Sequence, residues 1–196
     1  RRAVARNGQT LTGLDVLEEE GFARLRGKRI GLITNHTGLD RRGRRNVDVM
    51  IEAGVEVRIL LAPEHGLSGQ QEADHVADAK DEASGLPVYS LYSGGNRGLS
   101  DEAAAGLDAL VFDIQDAGVR FYTYISTLGH ALEEAARRKL AFYVLDRPNP
   151  INGVRVEGPM LDANELSFIG YHPLPLRHAM TVGELARLFN QEKAIR

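Results

Sequence analysis

Four short polar runs in this sequence each follow an apolar one: Asn35, His36 and Thr37; Pro63, Glu64, His65 and Gly66; Asp113, Gln115 and Asp116; Asp146, Arg147 and Asn149. Glu64 holds the most chemistry. A carboxyl directly after a buried strand, beside Pro63 and Gly66, is half-desolvated and suited to keep its proton near neutral pH, as a general acid must. Asp113 and Asp116 supply a second carboxylate, and Arg120, Tyr122 and Tyr124 follow closely enough to line the same rim. Two carboxyls flanking a glycosidic bond is the usual layout for sugar hydrolysis. Asp116 has a plainer use, as the partner of Arg120 or as a helix cap. His36, His65 and His75 with Asp113 or Asp116 would also suit an N/O site for zinc or manganese. Their spacing is not diagnostic, no H-E-x-x-H occurs, and the expectation is a site without metal or cofactor.

These runs converge only if the elements before them are parallel strands. KRIGLIT (Lys28 to Thr34) reads as a buried strand, Asn46 to Ala53 as a helix stopped by Gly54, and Val55 to Ala62 as the next strand, which makes one β-α-β unit. Pro87 to Leu91 and Ala109 to Phe112 are further strands, with a helix N-capped by Ser100 between them. Tyr124 to Lys139 is a long helix with Leu128, Leu132 and Ala135 on one face, and Ala141 to Leu145 is the strand after it. Thr181 and Glu184 form a capping box for a last helix running almost to Arg196. The alternation predicts a doubly wound α/β fold with a mostly parallel, Rossmann-like sheet and helices on both faces. Ligands in such folds bind at the carboxyl ends of the strands, where the four polar runs lie. Residues 1–27 read as a lead-in. Residues 151–180, rich in Gly, Pro and Asn, read as an irregular cleft segment with one short strand at Val154 to Glu157.

Composition bounds the partners. The chain has 196 residues, 43% hydrophobic and 26% charged, with a net charge of −3, which is ordinary for a globular domain. No apolar run approaches the ~18 residues of a membrane span. Basic residues are scattered, four of the 24 being lysine, so nucleic acid is not an expected partner. Cysteine is absent, which removes thiol nucleophiles and cysteine metal sites. The turn after the first strand, TNHTG, has neither G-x-G-x-x-G nor G-x-x-x-x-G-K-[ST], which disfavours NAD, FAD and ATP. Gly94, Gly95 and Gly98 read as a loop near the rim.

GLITNHTG (Gly31 to Gly38), LAPEHGLSG (Leu61 to Gly69), VFDIQDAGVRFYTY (Val111 to Tyr124) and LDRPNPING (Leu145 to Gly153), followed by VEGPML and MTVGELA, together resemble the exo-β-N-acetylmuramidase family. The resemblance covers nearly the whole chain and implies a Rossmann-like catalytic domain in residues 1–196. It implies removal of N-acetylmuramic acid from non-reducing ends of peptidoglycan fragments, with Glu64 at the position of the family's proposed catalytic glutamate. On that basis Asp116 or Asp113 would orient the 2-acetamido group or activate water, and His65 would tune Glu64. Arg120 or Arg147 would pair with the lactyl carboxylate. Asn35, His36, Gln115, Tyr122, Tyr124, Asp146 and Asn149 would hydrogen-bond or stack on the sugar. Family members are longer, so their C-terminal domain is expected to be absent from this sequence, and an apolar patch near Ile169 to Leu176 is expected where it would dock. The alternatives are a non-catalytic cell-wall sugar-binding fragment and a metal-dependent hydrolase on the same rim. An exported location follows from the resemblance, with a cytoplasmic one left open.

Overall fold

Leu32 and Ile33 are neighbours on one strand, so their side chains leave opposite faces, and both are fully buried. That strand must be covered on both sides. In the computed structural model, which describes residues 10–70, 79–91 and 98–195, it is β1 (Arg29–Thr34) at the centre of a six-stranded sheet. β2 (Glu56–Ala62), β4 (Pro87–Ser90), β5 (Ala109–Asp113) and β6 (Ala141–Val144) lie parallel to one another with it, and the two-residue β3 (Ala79–Lys80) closes one edge antiparallel. The order is β3-β4-β2-β1-β5-β6. The doubly wound α/β architecture is therefore present, with one antiparallel edge.

Two cores sandwich the sheet. On one face Ile30, Leu32, Leu60 and Val111 pack with Leu14 and Leu17 of α1 (Gly13–Glu19) and Val47 and Met50 of α2 (Asn46–Glu52). On the other, Ile33, Leu61 and Phe112 pack with Ala103 of α3 (Asp101–Ala104), Leu128 of α4 (Tyr124–Arg138) and Leu185 and Phe189 of α5 (Val182–Glu192). Ser100 caps α3, and the Thr181–Glu184 capping box starts α5, both as the residue types predict. Gly129 lets α4 accept a tyrosine: a Cβ there would lie 2.2 Å from the Tyr171 ring.

Three elements differ from expectation. Part of the supposed lead-in is α1, opened by a Thr12–Asp15 capping box, followed by a 3-10 turn at Ala23–Leu25. With Asp instead of Glu at the third helical position and only seven residues, it leaves too little periodicity to read. The strand expected at Val154 to Glu157 lies instead at β7 (Glu157–Met160), paired antiparallel with β8 (Pro175–Arg177). Pro159, Gly158 and Pro175 argue against strands in the sequence, and an exposed two-stranded ribbon tolerates them. The last helix ends at Glu192.

Candidate active site

From β1 the chain order runs outward both ways, to β2 and β4 on one side and to β5 and β6 on the other. The crevice between the ends of β1 and β5 is thus a topological switch point, where open α/β sheets bind ligands. Glu64 sits two residues beyond β2, on a tight turn. Its neighbour His65 has φ +69° and Gly66 φ +72°. A non-glycine residue in the left-handed region costs on the order of 1 kcal/mol and clusters at functional turns.

Thr123 stands at the N-cap of α4, yet its hydroxyl makes no cap bond to the helix. It donates instead to Glu64 Oε2. The next residue, Tyr124, reaches back with its hydroxyl 3.4 Å from the Glu64 carbonyl oxygen. One side of Glu64 is therefore held by the start of α4.

Tyr122 and Tyr124 meet edge to face, ring centroids 4.9 Å apart, and extend the site from Glu64 to Asp116. Burial pushes the Tyr122 hydroxyl above its usual range, and the nearby Asp116 carboxylate adds to this. Burial also raises that of Tyr124, with Tyr122 and Glu64 reinforcing it against an opposing contact from Asn35. Both phenols stay protonated at neutral pH and offer a donor to a polar ligand.

Asp116 is 5% exposed. Its Oδ2 accepts from the Gly118 N–H at 2.7 Å and faces His178 Nε2 at 3.4 Å, while Oδ1 is buried without a partner. It neither pairs with Arg120 nor caps α4. Asn35, also buried, accepts from the Thr37 N–H and hydroxyl through Oδ1, and its Nδ2 faces the Tyr124 hydroxyl without a well-formed hydrogen bond. These two buried polar atoms, Asp116 Oδ1 and Asn35 Nδ2, lie just beneath the rim, and Thr37 Oγ1, bonded to Asn35, also takes the Gln115 N–H at 3.0 Å. His36 and His65 are exposed on the flanking turns. His36 packs on Gly69, where a Cβ would come within 2.3 Å of its ring.

The structure gives the remaining candidates internal partners. Asp113 is fully buried and takes a bidentate contact from Arg147, at 2.7 and 3.1 Å. Asn46 Nδ2 bridges Asp113 Oδ2 and Thr34 Oγ1, each at 2.7 Å, and Arg147 also donates to the Leu39 carbonyl. This network ties β1, β5, α2 and the segment after β6 into a floor beneath the crevice. Asp146 accepts from the Thr181 hydroxyl and the Gly183 N–H and so anchors α5. Asn149 donates to the Met180 carbonyl, and Gln115 donates to the carbonyls of Asp116 and Pro148. Arg120 donates to the carbonyls of Leu174 and Pro159, stapling β7 and β8 to the sheet. A lactyl carboxylate reaching Arg147 or Arg120 would have to displace these contacts.

Among the described residues no three His, Asp or Glu side chains gather as metal ligands; His75, Gly94 and Gly95 lie outside them. Three residues of this network escaped the sequence reading. Thr123 precedes a predicted helix and reads as an ordinary cap, Asn46 as a helix start, and His178 sits in an irregular stretch. Within the stretch expected to be apolar and exposed, Ile169 and Leu176 are exposed while Tyr171 and Leu174 are core residues; Val156, Met160 and Leu166 before it are exposed as well, at 62%, 58% and 47%.

Fold and site define a doubly wound α/β domain with a carboxylate at a strand-end crevice. Residues 30–196 match the family model described as exo-β-N-acetylmuramidase NamZ, N-terminal, and the chain belongs to that family. It is 45% identical over its full length to the peptidoglycan β-N-acetylmuramidase NamZ of Bacillus subtilis (strain 168), and covers 47% of that protein. Two crystal structures of DUF1343 family proteins from Bacteroides fragilis superpose with TM-scores of 0.85 and 0.79, at 44% and 35% identity. Each match covers 93% of this chain and 46% or 47% of the other. The chain spans about half the length of the relatives it matches.

Proposed function

We propose that this chain carries the catalytic wall of a glycosidase that removes N-acetylmuramic acid from the non-reducing ends of peptidoglycan fragments. The observation that carries this reading is Glu64, at the end of β2 beside the switch point, bonded to the Thr123 hydroxyl and joined through Tyr124 and Tyr122 to the buried Asp116. Glu64 acts as general acid on the departing sugar oxygen. Asp116 Oδ1 accepts the N–H of the 2-acetamido group, and Asn35 Nδ2 donates to its carbonyl. Tyr122 and Tyr124 supply hydroxyls and an apolar ring face to the sugar. The B. subtilis relative's name and identity support the substrate class. Because that substrate lies in the cell wall, we place the protein's work outside the cytoplasm, which cell fractionation tests.

A second reading has its own observation. The exposed apolar residues of 154–169 suit burial against the part of the relatives that this chain does not span, so this wall alone would bind sugar without turning it over. The deciding experiment is chromophore release from a β-N-acetylmuramide, beside the matching N-acetylglucosaminide, Glu64→Gln, and a chelator. Chelator-insensitive release that prefers the muramide and disappears with Glu64→Gln is expected. Release that survives Glu64→Gln overturns the assignment, and binding of N-acetylmuramic acid without release favours the second reading.

A further inference from the structure

His178 is 3% exposed and packs against Asp116, whose Oδ1 is buried without a hydrogen bond. The Met180 N–H donates to its Nδ1 at 3.2 Å, which makes Nδ1 the acceptor and leaves the ring proton on Nε2. Nε2 has no hydrogen-bond partner and faces Asp116 Oδ2 across 3.4 Å. His178 Nε2 and Asp116 Oδ1 are thus each buried without a hydrogen bond, which is costly in a folded protein unless another group completes them.

The backbone around His178 is held at a cost. Ala179 takes φ +55°, a left-handed conformation that alanine avoids. The segment is kept there from three directions: Asn149 donates to the Met180 carbonyl at 2.9 Å, Thr181 donates to Asp146 at 2.7 Å, and Thr181 N–H donates to Glu184 at 2.8 Å.

We propose that His178 is a positioning residue for Asp116: its Nε2–H closes on Oδ2 when substrate arrives and turns Oδ1 toward the 2-acetamido N–H of the sugar. Hydrogen bonds of this kind are often long in an empty site and tighten in the complex. The Gly118 N–H and His178 then hold one oxygen of the carboxylate while the other is presented to the ligand. The inference rests on the glycosidase reading above and adds a specificity device to it, because a sugar with a hydroxyl in place of the acetamido group has no amide to meet Oδ1.

The test is a double-mutant cycle of His178→Leu with Asp116→Asn, read as kcat and KM on the β-N-acetylmuramide, with N-acetylmuramic acid binding by calorimetry alongside. His178→Gln, whose amide can place a donor near Nε2, is the rescue variant. With Asp116 intact, His178→Leu is expected to lower kcat about 10- to 100-fold, the worth of one hydrogen bond to a charged group, with His178→Gln recovering most of it. In the Asp116→Asn background the same change is expected to matter less than about twofold. Equal losses in both backgrounds, with Gln no better than Leu, would overturn the proposal and leave His178 a packing residue. Neither release nor binding by the unmodified protein would overturn the glycosidase reading itself, and this inference with it.

Discussion

The Thr123 hydroxyl and the Glu64 carboxylate, 59 residues apart in the chain, are joined by a direct hydrogen bond. It couples the start of α4 to the turn after β2, so the orientation of the proposed acid depends on where a helix begins. Thr123→Val removes the donor while keeping the shape. Turnover of the muramide is expected to fall about 10- to 100-fold, with Thr123→Ser near the wild-type rate and the unfolding midpoint of both variants little changed. Steady-state kinetics on the three proteins check this, and a fully active valine variant would show that Glu64 needs no such support.

The Asp113–Arg147 pair is a structural element under the crevice. Removing one partner leaves an uncompensated buried charge, so Arg147→Met is expected to cost about 3–5 kcal/mol in urea unfolding. Asp113→Leu added to it is expected to recover part of that loss. If Arg147→Met is instead as stable as the wild type, the floor network is not what holds the strand ends together.

Gly129 and Tyr171 are expected to be coupled through steric contact. Gly129→Ala would push a methyl into the Tyr171 ring and cost about 1–3 kcal/mol. Combined with Tyr171→Leu, the same alanine is expected to cost less, which the interaction energy from denaturant midpoints measures directly.

Asp15 makes stability depend on acid. Burial by itself would raise its pKa, but the Arg41 and Thr12 N–H groups and the Thr12 hydroxyl outweigh that and hold it below the usual range. A lowered folded pKa gives stability that is present above the unfolded value of about 3.9 and lost as pH falls through the folded one. Asp15→Asn is therefore expected to cost about 1 kcal/mol at neutral pH. Near pH 3 and below the gap between the two proteins should shrink. Unfolding midpoints at both pH values check the sign, and a gap that widens in acid would refute it.

Much of this protein was legible in the linear pattern because its signals are local. KRIGLIT and VEVRILLA carry short β-branched and leucine runs that read as buried strands, Thr181 and Glu184 announce α5, and the polar residues after each strand mark the rim. Family membership was legible as well, since the motifs around Glu64 and Asp116 are contiguous. What the tertiary structure decided is how those polar residues divide their work. Asp113, Asp146 and Arg147 look the same in sequence as Glu64 and Asp116, yet partners up to 108 residues away turn the first three inward. The Thr123–Glu64 hydrogen bond and the approach of His178 to Asp116 join residues far apart in the chain, 59 and 62 positions. Hydrogen bonds depend on position to within a fraction of an ångström, and only the packed sheet and helices set positions that finely.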